Sequence, residues 1–170
     1  MTKPDPRFAV NFVCLGNICR SPLAKAIFIH QAKQRGVLDT LRIDSCGTGS
    51  WHVGGPADPR SIMVAEKHGV ELDHVARCVC SDDFESFDLL LAMDLNNRAE
   101  LLRRGAPAER VRLMRSFDPT LKGRPEHELI VPDPYTGNDD GFQRVYEMLW
   151  RACDGLHEHI ATTPRPSPAG

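Results

Sequence analysis

Phe8-Ala9-Val10-Asn11-Phe12-Val13-Cys14-Leu15-Gly16-Asn17-Ile18-Cys19-Arg20-Ser21-Pro22 joins an apolar, strand-like run to a helix-like one through a loop bearing a thiol and a guanidinium. Phe8 to Val13 is apolar apart from Asn11, which suits a strand buried on both faces of a parallel sheet better than one with a wet side. The run ends at Cys14. Beyond the loop, Ser21 can cap a helix with Pro22 in its first turn; Leu23, Ala26 and Ile27 have helical spacing, and Lys33 and Arg35 precede a stop at Gly36. Five residues separate Cys14 from Arg20. A thiol is a strong nucleophile only as its thiolate, and a loop that empties into a helix N-terminus offers unpaired amides and a positive dipole, both of which favour an anion. The segment reads as a phosphate-binding catalytic loop, with Cys14 as nucleophile and Arg20 as anion clamp.

The alternation begun there continues along the chain. Leu41 to Cys46 is a second strand candidate, and Asp58-Pro59 opens a helix that ends near His68-Gly69. Asp88 to Met93 reads as a third buried strand, followed by a helix with Leu95, Ala99 and Leu102 on one face and Gly105 at its end; Val111 to Met114 is a weaker fourth strand. Phe142, Val145, Leu149, Cys153, Leu156 and Ile160 recur every three or four residues, the stripe of a long amphipathic helix packed on the sheet. Strands alternating with helices imply an α/β fold with an open, mainly parallel sheet, in which ligands gather beyond the carboxyl ends of the strands, where Cys14 stands. Residues 115–138 hold four prolines without periodicity and read as a long ordered loop, a kind of segment often used for function. One domain over residues 7–161 is expected, with residues 1–6 and 162–170 as flexible termini.

Bulk properties exclude several classes. The 170 residues are enough for one core, a formal net charge of -2 with no long basic run gives no support for nucleic-acid binding, and no apolar stretch approaches the roughly 20 residues needed to cross a bilayer. Met1-Thr2-Lys3-Pro4-Asp5-Pro6 lacks the apolar region of a signal peptide, so a cytoplasmic protein is expected, with export by another route left open. The six cysteines are expected to be reduced thiols, not a disulfide scaffold.

Taken with the late Asp133-Pro134-Tyr135, the Cys14-to-Pro22 segment closely resembles the low-molecular-weight protein tyrosine phosphatase family. Between the two ends lie Asp44-Ser45, Trp51-His52-Val53-Gly54, Asp58-Pro59-Arg60, His74-Val75-Ala76-Arg77 and Met93-Asp94, in the family's order and at similar spacing. A lone Cys-five-Arg match arises often by chance, whereas this set does not. The resemblance implies a single-domain, four-stranded parallel sheet with helices on both faces, and a two-step hydrolysis of protein phosphotyrosine and small aryl phosphates in which phosphate passes through Cys14 to water. It implies no metal and no organic cofactor. It places the general acid on Asp133, whose help in leaving-group departure is worth about 10²- to 10⁴-fold. Leu15, Gly16, Asn17, Ile18, Cys19 and Ser21 complete the phosphate-binding loop, and Ser45 and His74 join Asn17 and Ser21 in the hydrogen-bonding set that supports it. Trp51 and Tyr135 match the walls of the aryl cleft, with Leu15 a smaller part of its mouth; two aromatic faces sandwich a phenyl ring and favour phosphotyrosine over phosphoserine. Many members carry a second tyrosine, where this chain has Thr136. The expected partners are a tyrosine-phosphorylated protein and phosphate or another oxyanion in the loop, with no nucleic acid and no membrane; a monomer is expected.

Other residues carry plainer readings. Cys19 is either a reversible disulfide partner that shields Cys14 from over-oxidation or a packing residue. Cys46, Cys78, Cys80 and Cys153 read as core or edge residues, since Cys78-Val79-Cys80 lacks the spacing and second pair of a zinc site. His157 and His159 are assigned to solvated surface, and His30, His68 and His127 have no partner legible in the sequence. Asp118, before Pro119, rivals Asp133 on spacing alone, and the resemblance decides for Asp133. Asp94 reads as a helix cap, with a place at the cleft left open. An arsenate reductase needs further thiols after the third strand, and residues 94–104 have none. A protein-arginine phosphatase is the nearer alternative, differing mainly by a threonine at the position of Ile18.

Overall fold

A computed structural model describes residues 5–164, so most of the segments expected to be flexible termini, residues 1–4 and 165–170, lie outside the described residues. The long apolar runs form the sheet. Strands β1 (Phe8–Cys14), β2 (Leu41–Gly47), β3 (Leu89–Ala92) and β4 (Val111–Leu113) pair in parallel in the order β2-β1-β3-β4. All of β1 from Ala9 onward and all of β3 is buried, as double-faced burial requires. The third strand is two residues shorter than its apolar run suggests. Asp88 precedes the strand, with its carboxylate accepting the Ala9 amide at 2.8 Å and its own amide donating to the Ala9 carbonyl at 2.9 Å, and Met93 turns out after donating to the Val13 carbonyl.

Helices α1 (Arg20–Arg35), α2 (Pro59–Lys67) and α5 (Asp139–Thr162) share one core with Val10, Phe12 and Leu91 of the sheet. Ala9, Val13, Leu90 and Val111 face a second core with Phe84 and Leu101, which come from α3 (Ser81–Ser86) and α4 (Leu95–Arg103). Helices therefore cover both faces. Each large apolar side chain buried this way contributes about 1.5–3 kcal/mol. The short α3 leaves no hydrophobic period to read; it is fixed instead by Asp83, whose carboxylate takes the Cys80 amide at 2.8 Å and the Arg77 guanidinium at 2.9 Å. The proline-bearing stretch expected as a loop is one, interrupted by single 3-10 turns at Met114–Phe117, Pro119–Leu121 and Glu126–Glu128.

His157 departs from its expected surface position. It is buried on α5 with its ring stacked on Phe28 at 3.8 Å, and Nε2–H donates to the Phe28 carbonyl at 3.1 Å. Burial outweighs this bond and the nearby Asp154 and Glu158, and Arg35 adds to it, so the His157 pKa falls from 6.5 to about 4. Between those values the unfolded chain binds a proton that the folded one refuses. Stability that is complete above the unfolded pKa is thus lost as pH drops toward 4, by an amount on the order of 2 kcal/mol. Denaturant unfolding near pH 7 and pH 4.5 should show a larger loss for the native chain than for His157→Gln, which keeps a donor without the titration; equal losses would contradict the assignment.

The strand order reverses about β1. The connection to β2 leaves on one side and the path through β3 on the other, which opens a crevice at the carboxyl end of β1 between the two loops. Cys14 ends β1 at this crevice, beside Gly47 of β2, and the Met93-Asp94 corner follows β3 on its other side.

Candidate active site

The loop after β1 is held in shape by backbone and side-chain bonds from three directions. Thr48 and Gly49 donate their amides to the carbonyls of Cys14 and Leu15 at 2.9 and 2.8 Å. That approach depends on Gly47, where a Cβ would stand 2.6 Å from the Leu15 carbonyl oxygen and push the loop away. Asn17 takes the left-handed conformation, φ 56°, one that asparagine tolerates better than most residues. Both ends of its side chain are engaged: Nδ2 donates to Ser21 Oγ at 2.8 Å and Ser45 Oγ at 3.1 Å, while Oδ1 accepts the Arg77 amide at 2.9 Å. His74 Nε2–H donates to the Asn17 carbonyl at 2.7 Å, and burial lowers the His74 pKa despite that bond, which favours the neutral ring. Arg77 is tied to Asp44 at 3.0 Å and to Asp83 at 2.9 Å, so β2 and α3 brace the segment that holds Asn17.

Ser21 does not cap α1. The helix begins at Arg20, no side chain caps it, and Ser21 Oγ lies 2.9 Å from Cys14 Sγ, where it can donate to a sulfur anion. The uncapped first turn leaves its amides free for a ligand in the loop, as an anion site at a helix N-terminus requires.

Arg20 is almost wholly buried yet charged. Nη1 donates to Asp94 Oδ2 at 2.7 Å and to the Val131 carbonyl at 3.0 Å, and Nη2 lies 3.5 Å from Asp133 Oδ2. Burial works against the charge, but Cys14, Asp94 and Asp133 together hold the guanidinium pKa above its ordinary value. Asp94 does two things at once: Oδ1 caps α4 through the Asn97 amide at 2.8 Å, and Oδ2 orients Arg20. Asp133 sits half-exposed, its Oδ1 accepting the Tyr135 amide at 3.1 Å.

A cavity of about 140 Å³ is lined by Cys14, Arg20 and Asp133 with Leu15, Gly16, Ile18 and Cys19 of the loop, and by Trp51, His52 and Tyr135 at its mouth. The fold therefore brings every expected site residue either to this cavity or, for Asn17, Ser21, Ser45 and His74, directly behind its loop. Cys14 and Cys19 are unpaired, buried thiols; burial, with Asp58, Cys14 and Asp133 nearby, pushes Cys19 up to about 12, so it stays protonated. Sequence reasoning assigned no role to His52, whose ring lies 6.3 Å from that of Tyr135. The rival Asp118 is fully buried elsewhere, engaged by Thr120 and Arg151. No group of side chains suited to holding a metal ion occurs among the described residues.

A family model described as low molecular weight phosphotyrosine protein phosphatase matches residues 9–165. A Streptomyces coelicolor protein named low molecular weight protein-tyrosine-phosphatase is 46% identical over 153 residues, 88% of this chain and 91% of its own. Among solved structures, a protein tyrosine phosphatase from Entamoeba histolytica with Hepes in its active site superposes with a TM-score of 0.84 at 38% identity, covering 91% of this chain and 97% of that one. A Drosophila arginine phosphatase gives a TM-score of 0.81 at 32% identity, covering 91% and 99%.

Proposed function

The chain belongs to the low molecular weight phosphotyrosine protein phosphatase family, and on that premise we propose that it hydrolyses protein phosphotyrosine through a phosphocysteine on Cys14. The observation that carries this reading is the meeting of a thiol, a guanidinium and a carboxyl group around a cavity of about 140 Å³ with aromatic walls. In the first step Cys14 Sγ attacks phosphorus in line, the bond to the tyrosyl oxygen breaks, and Asp133 gives that oxygen a proton. In the second, Asp133 takes a proton from water as its oxygen attacks phosphorus, the S–P bond breaks, and thiolate and inorganic phosphate are released. A phosphate monoester dianion repels an anionic nucleophile, so loop amides and Arg20 must neutralise it, and the guanidinium offers paired donors that lysine lacks.

The walls support an aryl substrate. Trp51 and Tyr135 are both exposed at the rim, and a phenyl ring between them gains stacking and burial that an alkyl ester does not. Trp51→Ala is expected to raise KM for phosphotyrosine peptides about 10-fold, the size of a lost aromatic contact, with kcat changed much less. An unchanged KM would remove Trp51 from the cleft.

Arginine phosphatase activity is the second reading, favoured by the likeness to the Drosophila enzyme and opposed by Ile18, which lies in the cavity wall where that activity is expected to carry threonine. Kinetics on matched phosphotyrosine, phosphoserine and phosphoarginine peptides separate the three. The proposal predicts the highest kcat/KM on phosphotyrosine, and preference for phosphoarginine would overturn it. No helix among the described residues is long and apolar enough to cross a membrane. A monomeric cytoplasmic enzyme that takes phosphate or a like oxyanion in the Cys14–Ser21 loop completes the reading; light scattering at twice the chain mass would contradict the monomer.

A further inference from the structure

We propose that Arg60 is a positioning residue for the general acid, pinning the Asp133-bearing loop to the start of α2 and through it to the phosphate-binding loop. The inference rests on the assignment of Asp133 as the acid. The loop from Val131 to Asn138 has one anchor on the Arg20 side, where Val131 bonds Met93 and Arg20. Its far side is held by Arg60. There Nη2 donates to the Tyr135 carbonyl at 2.8 Å and Nη1 to the Gly137 carbonyl at 3.1 Å, with the guanidinium 4.4 Å from the centre of the Phe142 ring at the start of α5. Asp133 lies between the two anchors, with its Oδ1 accepting the Tyr135 amide of its own loop and its Oδ2 3.5 Å from Arg20 Nη2.

Arg60 is itself fixed. Nε and Nη2 grip Asp58 at 3.0 and 2.9 Å, a bidentate pair with limited freedom. Asp58 is buried, caps α2 through the Arg60 amide, and donates its own amide to the Ile18 carbonyl at 2.8 Å; Ser61 Oγ donates to the Cys19 carbonyl at 3.2 Å. One turn of α2 thus touches the loop that would hold phosphate and the loop that carries the acid. The hydrogen bonds and ion pair of Asp58 with Arg60 also hold its carboxyl below the usual range, consistent with a permanent pair.

The test is the leaving-group dependence of kcat/KM. Arg60→Met keeps an apolar stem over Phe142 and removes both carbonyl bonds, and a reacting group misplaced by about 1 Å can lose up to about 10²-fold in rate. With phenyl phosphate, whose leaving group needs a proton, the expected loss is about 10-fold or more; with 2,4-dinitrophenyl phosphate, which needs none, the loss should stay within a few-fold. Inhibition by inorganic phosphate should be unchanged, and Arg60→Lys should recover part of the phenyl phosphate rate. In the Asp133→Ala background, Arg60→Met should cost little more, because its effect passes through the missing acid. If a stranded Asp58 carboxylate unfolds Arg60→Met, Asp58→Asn/Arg60→Met removes that charge and keeps the cap. Equal losses on both substrates, or a full additional loss without Asp133, would overturn the positioning role. Asp133→Ala alone reports on the acid: if it lacks leaving-group dependence, the assignment of the acid fails, and if only Arg60→Met lacks it, the positioning role fails.

Discussion

Cys14→Ser is expected to lose about 10⁴-fold or more of turnover on aryl phosphates while keeping its fold and its hold on the anion. The loop's shape comes from backbone bonds to Thr48 and Gly49 and from Asn17, none of which uses the sulfur. Cys14 Sγ has Ser21 Oγ at 2.9 Å as its side-chain partner, and a serine hydroxyl can keep that bond. A serine hydroxyl is a far weaker acid than a thiol, and the side-chain partner it would have, Ser21, is a hydroxyl that cannot take its proton. Stabilisation by inorganic phosphate, read as a rise in Tm, should therefore persist in a protein that no longer turns over. Turnover within 10-fold of the native chain would remove Cys14 from the chemistry.

The second large effect is on leaving groups. Asp133→Ala should lower kcat/KM about 10²- to 10⁴-fold, or roughly 3–5 kcal/mol of barrier, for phenyl phosphate, and far less for substrates whose leaving group departs as a stable anion. The carboxyl group is well placed for this. It shares the cavity with Cys14 and stands 3.5 Å from Arg20 on the half-exposed side, whereas Asp94, the other carboxylate bound to Arg20, is engaged through both oxygens. Equal loss over all leaving groups would mean that Asp133 supports Arg20 instead of passing a proton.

Much of this is written locally in the chain. Apolar runs such as Phe8–Val13 specify buried parallel strands, and the stripe from Phe142 to Ile160 specifies α5, because removing apolar surface from water drives folding and leaves a period in the sequence. The reach of Cys14 and Arg20 was legible for a similar reason, since both belong to one short loop. Contacts between distant segments leave no such trace. Arg60 meets Tyr135 and Gly137 across more than seventy positions, Asp94 meets Arg20 across 74, and His157 hides against Phe28 across 129. Asp118 and Asp133 each precede proline, and spacing could not separate them; resemblance chose Asp133, and the fold buries Asp118 away from the cavity. Ser21 shows the same limit in reverse, for its helix-cap signature is local while its partner, the Cys14 sulfur, is a matter of loop geometry.

The covalent step is tested most directly by trapping it. Asp133→Ala enzyme, mixed with 2,4-dinitrophenyl phosphate, whose leaving group needs no proton, and quenched in acid during turnover, should yield an enzyme peptide whose phosphate maps to the Cys14 thiol, because only the second step then lacks its base, and Cys14→Ser should yield no phosphocysteine. Phosphate on another residue, or steady turnover with no phosphoenzyme in either quench, would contradict a reaction that passes through Cys14.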